Sequence, residues 1–237
     1  MKASLPLFAC EPYRALVIGS SGSIGGAFVR AFESDPGCTH VECISRSTAV
    51  GFDLANPASI CAQADRAATQ GPYAIMVDAT GALSIRGQGP EKALRSLDAE
   101  QLMQTYVINT IGPAMVLRYF APLLAKGPSV YAKLSARVGS ITDNRKGGWY
   151  GYRSAKAGLN MILQTAAIEL QRKNPALRVV ALQPGTVQSK LSAPFTTAAH
   201  QVLTPEASVY GMLTALRALP AKPGACFLDY QGKEIPW

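Results

Sequence analysis

Short apolar runs rich in β-branched residues alternate along the chain with longer stretches in which apolar residues recur at helical spacing. The short runs predict strands at residues 15–18, 41–44, 74–77, 129–134, 178–182 and 226–229, with a further short strand before Phe52. The longer stretches predict helices at residues 24–33, 58–69, 98–124 and 152–172, and a last one that opens at Thr204. Because such alternation requires crossover connections, we expect an α/β fold, a doubly wound parallel sheet with helices on both faces.

The composition indicates one compact domain over residues 1–237. The chain is 48% hydrophobic and 16% charged, which excludes general disorder. No apolar run approaches the ~18–20 residues of a membrane span, and Pro6, Glu11 and Pro12 interrupt the apolar start, which does not resemble a secretory signal.

The charge and the cysteine content narrow the expected partners and compartment. The net charge of +8 is scattered rather than clustered, which favours a phosphorylated small molecule over nucleic acid. The five cysteines form no C-x-x-C pair, and His40 and His200 lie far apart in the sequence. We therefore expect no disulfide framework and no metal site, and a cytoplasmic location.

A glycine-rich loop joins the first predicted strand to the first predicted helix. It begins at Gly19 with the spacing G-x-x-G-x-x-G. Glycines here let the backbone approach a pyrophosphate closely, and the helix N-terminus offers free amides. The loop predicts dinucleotide binding through Gly19, Ser21, Gly22, Ser23, Ile24 and Gly25. No G-x-S-x-G motif is present, which argues against a nucleophile-elbow hydrolase.

The chemistry about twenty residues after this loop favours NADP(H) over NAD(H). An NAD site usually carries an acidic residue there, whereas this chain has Ser45 and Arg46. An arginine can bind a 2′-phosphate bidentately, and serine removes the carboxylate that would repel it. The alternative is an ordinary surface arginine.

Tyr152 and Lys156 stand at i, i+4 spacing near the start of a predicted helix, so they share one helix face. A free tyrosine has a pKa near 10, and a neighbouring ammonium favours its ionised form. The pair is therefore a candidate acid–base unit. The alternative is a solvated tyrosine and lysine on an amphipathic helix.

Taken together, these features resemble the classical short-chain dehydrogenases/reductases across nearly the whole chain. The matching segments, in the family's order, are the glycine loop, Asp53-Leu54, Ala79-Thr80-Gly81, Asn109, Tyr152 with Lys156, and Pro184-Gly185. Residues 134–156 look most like the C-factor/sniffer-like branch. The resemblance implies a single-domain Rossmann fold with a substrate lid at about 189–203.

The resemblance also assigns catalytic roles. Tyr152 would protonate a carbonyl oxygen while hydride arrives from the nicotinamide. Lys156 would lower the pKa of the tyrosine and bind the nicotinamide ribose, and Asn109 would help to hold a water that relays protons to Lys156. Asn109 at a helix kink is an alternative that is compatible with this role.

Further cofactor contacts follow from the same resemblance. Asp53 would accept the adenine amino group, with Leu54 contributing its backbone; a helix-terminal role for Asp53 is equally open. The remaining residues would line the cofactor, or simply end strands: Ala79, Thr80, Gly81, Pro184, Gly185 and Val187, with Ser189 as a hydroxyl partner of the carboxamide.

Three departures from the family pattern stand out. Gly22 comes one position early, with Ser23 where glycine is expected. Ala79-Thr80-Gly81 replaces Asn-Ala-Gly, which removes a side-chain hydrogen bond that stiffens the sheet. Ala136 occupies the place of the substrate-orienting serine, and Ser135 or Ser140 is the candidate replacement.

The resulting expectation is an NADP(H)-dependent oxidoreductase acting on a carbonyl or alcohol of a small organic substrate. Two alternatives remain: a pterin- or quinone-type reductase of the same fold, and a non-catalytic NADP-binding sensor. We expect no nucleic-acid or membrane partner. The resemblance allows a homo-oligomer that pairs the two long helices.

Overall fold

One six-stranded parallel sheet forms the centre of the structure, a computed structural model that describes residues 12–188 and 202–237. The strands are β1 (Tyr13–Ile18), β2 (Cys38–Ile44), β3 (Ile75–Asp78), β4 (Ser129–Leu134), β5 (Leu177–Gln183) and β6 (Ala225–Asp229). Their order is β2-β1-β3-β4-β5-β6, and every neighbouring pair is parallel. The predicted Rossmann-type α/β architecture is confirmed.

Helices cover both faces of the sheet. They are α1 (Ser23–Glu33), α2 (Pro57–Ala68), α3 (Ala99–Tyr106), α4 (Gly112–Phe120), α5 (Tyr150–Gln171) and α6 (Pro205–Ala218). Apolar side chains of α2, α4 and α5 pack on one face, and those of α1 and α6 pack on the other. Because both faces are buried, β1 and β4 are apolar almost throughout. No helix within the described ranges is long and apolar enough to cross a membrane.

The predicted short strand before Phe52 is wrong. The segment after β2 forms turns, because the hydroxyl of Ser45 accepts hydrogen bonds from the amides of Ser47 and Thr48. These local bonds compete with strand pairing. The other predicted strands are present, and each agrees with its structural counterpart to within three residues at either end.

The helix predicted at 98–124 is interrupted in its middle. Asp98 caps its start by accepting the amide of Gln101, and the Gln101 side chain donates to the carbonyl of Gly89. A π-helical segment, Val107–Ile111, separates α3 from α4. Pro113 has no amide hydrogen for the carbonyl of Asn109 four residues earlier, so a regular α-helical ladder cannot continue there.

The topology gathers the predicted site residues at one edge of the sheet. The chain leaves β1 for β2 on one side and reaches β3 on the other, so the order reverses between β1 and β3. Open α/β sheets bind ligands outside the carboxyl ends of their strands at such a point.

Candidate active site

A cavity of about 600 Å³ lies at the carboxyl ends of β1, β2 and β3. Ten of the predicted cofactor residues line it: Gly19, Ser21, Gly22, Ser45, Arg46, Asp53, Leu54, Ala79, Thr80 and Gly81. The structure thus brings together segments far apart in the sequence around one space of a size suited to a small-molecule ligand.

The glycine loop fits a pyrophosphate closely. A Cβ atom on Gly25 would lie 2.1 Å from the carbonyl oxygen of Gly19, so only glycine permits this packing of α1 against the loop. Gly19 has φ +85, a conformation that favours glycine. The first turn of α1 contains no acidic residue, and no side chain caps it at Gly22. Amides at a helix start of this kind attract a phosphate, so the residues present fit the predicted dinucleotide.

At the second strand end, the predicted adenosine contacts face the cavity. Arg46 is exposed and lines it, whereas the Ser45 hydroxyl is buried within its own turn. The Asp53 carboxylate is exposed and accepts the backbone amide of Ala55 at 2.9 Å. Asp53 precedes α2 without capping it, because the Asn56 side chain performs that function.

Asn109 and Lys156 meet at Gly81. A Cβ on Gly81 would lie 3.2 Å from Asn109 Oδ1 and 3.4 Å from Lys156 Nζ. Asn109 Oδ1 accepts a hydrogen bond from the backbone amide of Ala82, and Asn109 Nδ2 donates one to the Ala82 carbonyl. These bonds tie the π-helical segment to the loop after β3. Asn109 therefore lies both at the interruption of the helix and beside Lys156, so the two interpretations of this residue are compatible.

Tyr152 and Lys156 share a face of α5, with Lys156 Nζ 5.6 Å from the centroid of the tyrosine ring. Desolvation raises the pKa of Tyr152 in this structure, and a lowering by Lys156 stays a prediction. Burial, assisted by the charge of Lys133, also lowers the pKa of Lys156 to about 7. At pH 7 Lys156 is therefore partly neutral, so it can both give and take a proton.

Neither candidate replacement for the family's serine lines the cavity. Ser135 is buried and donates its hydroxyl to Asn160 Oδ1 at 2.7 Å. Ser140 is buried and accepts the amide of Asp143. Ala136 is partly exposed. A catalytic role for Ser135 stays a prediction that would require its bond to Asn160 to break.

The remaining predicted contacts follow β5. Gly185 has φ +78, and a Cβ there would lie 2.9 Å from the Leu203 side chain. The Pro184 carbonyl accepts the Ser208 hydroxyl, and Val187 is buried in a bridge with Leu203. Ser189 and nearly all of the predicted lid at about 189–203 lie outside the described residues.

Sequence reasoning missed a buried ion pair beneath the site. Lys133 Nζ lies 3.0 Å from Asp78 Oδ1, and both side chains are fully buried. A lysine inside an otherwise apolar strand was the available signal, since lysine is almost never buried without a partner. Further cavity residues that the prediction lacked come from the loop after β3 and from the segment 104–108: Ser84, Ile85, Arg86, Gln104 and Ile108.

Comparison with known proteins agrees with this geometry. The family model for short chain dehydrogenases matches residues 14–199. C-signal of Myxococcus xanthus is 33% identical over 168 residues, which is 70% of this chain and 94% of that protein. A 1-hydroxy-2-glutathionyl-2-methyl-3-butene dehydrogenase of Rhodococcus sp. (strain AD45) is 29% identical over 187 residues, 79% of each chain.

Solved structures show the same fold. An NADPH-bound carbonyl reductase from chicken fatty liver superposes with a TM-score of 0.82 over 98% of this chain and 96% of that one. At 22% identity this likeness concerns the architecture alone. With the family model covering most of the sequence, the chain belongs to the short-chain dehydrogenase/reductase family of oxidoreductases, with C-signal among its relatives.

Proposed function

We propose that this chain is an NADP(H)-dependent oxidoreductase that transfers a hydride between nicotinamide and the carbonyl or alcohol carbon of a small organic substrate. One observation carries the proposal: Gly81 lines the dinucleotide-sized cavity and also borders Lys156, which shares a helix face with Tyr152. The acid–base pair therefore lies where the cavity's ligand would end. The NADPH-bound carbonyl reductase of the same fold supports the cofactor class.

The cofactor would be held along the edge of the sheet. The glycine loop and the start of α1 would hold the pyrophosphate, Arg46 the 2′-phosphate, and Asp53 with Leu54 the adenine. The backbone of the segment 79–81 would line the ribose, and the turn at 184–187, with Ser189, would contact the carboxamide of the nicotinamide. When bound, the nicotinamide supplies or accepts the hydride.

Tyr152 would supply the proton. Its raised pKa keeps the phenol protonated at neutral pH, so Oη can donate to the carbonyl oxygen of the substrate during reduction. Lys156 would bind the nicotinamide ribose and return protons to the site. Asn109, fixed by its two bonds to Ala82, would position the water that feeds this relay.

Two variants test the proposal. R46A should weaken NADPH binding by ~10-fold or more and leave NADH binding nearly unchanged, because only NADPH carries the phosphate. R172A, which removes an exposed arginine at the far end of α5, is the matched control. Equal affinities of the parent protein for both cofactors, measured by fluorescence titration, would refute the NADP preference.

Y152F should retain NADPH binding and lose turnover by ~10²–10⁴-fold. Turnover is measured as NADPH oxidation against a panel of aldehydes, ketones, quinones and a dihydropterin. Full activity of Y152F would show that the proton comes from another group.

Two alternative functions are each favoured by one observation near Ala136 or among the relatives. Since Ser135 donates to Asn160, a carbonyl substrate would depend on Ser140 for a second donor, and a pterin- or quinone-type reduction does not require one. The similarity to C-signal, together with Ala136, favours a sensor that binds NADP without turnover. Activity restricted to quinones or dihydropterins supports the first alternative, and cofactor binding without turnover on any substrate supports the second.

A further inference from the structure

Asp78 and Lys133 form an ion pair across the middle of the sheet. They are register partners on β3 and β4, and both side chains are 0% exposed. Burying two charges costs desolvation free energy that their attraction only partly returns, and a well-packed apolar pair often stabilises a fold as well or better. Sheet stability alone is therefore a weak reason for this pair.

The pair holds Thr80, two residues after the end of β3. Lys133 Nζ donates to the Thr80 carbonyl at 2.6 Å and to Thr80 Oγ1 at 3.0 Å. Asp78 Oδ1 accepts the Thr80 amide at 2.9 Å and its hydroxyl at 2.6 Å. Every polar group of Thr80 is thus bound by one member of the pair. This network takes the place of the side-chain hydrogen bond that Ala79-Thr80-Gly81 lacks relative to the family pattern.

The same pair lies close to Lys156. Lys156 Nζ donates to the carbonyl of Leu134, the residue next to Lys133, and borders Gly81. Asp78 Oδ2 has no hydrogen-bond partner among the described residues. Two buried ammonium groups therefore share the field of one carboxylate.

We propose that Lys133, through its ion pair with Asp78, is a positioning residue of the active site. It fixes the Thr80-Gly81 segment between the cofactor cavity and Lys156. It also places a second positive charge next to Lys156. Its meaning for catalysis rests on the proposed function. The placement itself can be tested without cofactor or substrate.

The charges around Lys156 predict the direction of the effect. Burial and the positive charge of Lys133, from β4, lower the pKa of Lys156, while Asp78, from β3, raises it. Tyr152, on the same helix as Lys156, is the neighbouring titratable group, and burial keeps it protonated. Removing the charge of Lys133 leaves the attraction of Asp78 unopposed, so Lys156 should titrate at higher pH.

The test uses protein labelled with ¹³C at the lysine ε carbons, with the Lys156 signal assigned from K156R. In K133M the titration midpoint of Lys156 should rise by ~1 pH unit or more. Amide hydrogen exchange at Thr80 and Gly81 should also become faster. K126M, which makes the same change at an exposed lysine, should match the parent in both measurements.

A second variant guards against misfolding, because K133M leaves a buried carboxylate unpaired. D78N/K133M removes both charges. Its Lys156 midpoint should lie below that of K133M, because the attraction of Asp78, which raises the pKa of Lys156, is removed as well. An unchanged Lys156 midpoint in the folded variants, or unchanged exchange at Thr80 and Gly81, overturns the proposal. Failure of NADPH binding or turnover in the parent would instead refute the proposed function and leave these results intact.

Discussion

The buried ammonium of Lys156 makes the stability of the protein depend on pH. Its pKa is about 7 in the folded protein and near 10.5 in the unfolded chain. Between these values the unfolded chain binds the extra proton, so the free energy of unfolding rises with pH. The free-energy cost of burying the charged ammonium is fully present below pH 7 and is relieved as the pH rises towards 10.5.

We therefore predict that the parent gains about 1.5 kcal/mol of stability relative to K156M between pH 7.0 and pH 8.5. Urea unfolding of both proteins at the two pH values measures this difference. The comparison between variants cancels the other titrating groups, including the thiols of Cys38, Cys43 and Cys226, whose pKa values burial raises. A difference that does not change with pH would contradict the lowered pKa.

The glycines of the loop after β1 show which positions of the motif the packing requires. The spacing of the loop predicted a pyrophosphate site, although Gly22 departs from the family pattern. A Cβ on residue 22 would make a tight contact of 3.3 Å with the Gly19 carbonyl oxygen, whereas one on Gly25 would lie only 2.1 Å from it. The close approach of helix and strand therefore depends on Gly25, whose place in the motif is unchanged.

At the scale of elements, the start of α5 is fixed by a residue from the loop after β3. The buried carboxylate of Glu91 accepts the Gly151 amide at 3.0 Å, and its backbone carbonyl accepts the amide of Trp149. Trp149 itself has φ 54 and provides no side-chain cap. Glu91 thus supplies the cap of the helix that carries Tyr152.

We predict that E91A lowers the free energy of unfolding by about 1–2 kcal/mol, because the helix loses its cap. E91Q keeps an acceptor oxygen and should lose less. E100A, at an exposed glutamate of α3, should change stability by no more than about 0.5 kcal/mol. Urea denaturation, with amide exchange at Gly151 as a local readout, decides the matter; equal stabilities of E91A and E100A would exclude the capping role.

Local sequence patterns predicted where strands and helices lie more accurately than where a helix is interrupted or a strand is absent. Strand β4 has the predicted bounds because an apolar run between turn residues specifies it. The sequence suggested an interruption only as the helix-kink alternative for Asn109, and its π-helical form was not predicted, although Pro113 was a local signal; the bond from Asn109 to Ala82, 27 residues away, could not be predicted from local pattern. The strand predicted before Phe52 is absent, because hydrogen bonds to the Ser45 side chain stabilise a turn there.

At the scale of the whole molecule, strand order assembles the site. Motif spacing for the glycine loop and Arg46, and the family resemblance for Asp53 and the 79–81 segment, anticipated that these residues line one cavity. Neither could anticipate the pairing of Lys133 with Asp78, 55 residues apart, because strand register is set by the complete sheet. The lid residues from 189 and the substrate they would enclose stay predictions.

Exposed apolar residues bear on the assembly of the molecule. Met161 and Ile168 lie seven residues apart on α5, and Met103 and Ile111 lie eight apart on the α3–α4 segment, so each pair occupies one helix face. These are the two long helices through which family resemblance suggested a homo-oligomer. Large exposed apolar side chains in such stripes are typical of a protein interface.

We predict that the parent forms a homo-oligomer through this surface and that M161E/I168E dissociates it, because each glutamate would bury a charge at the contact. Light scattering coupled to size exclusion should give a multiple of 25.1 kDa for the parent and 25.1 kDa for the variant. Y210E places the same charge on an equally exposed residue of α6 and should leave the assembly intact. A parent that is monomeric at every concentration measured, or a variant that keeps the parent's mass, would mean that these stripes face solvent.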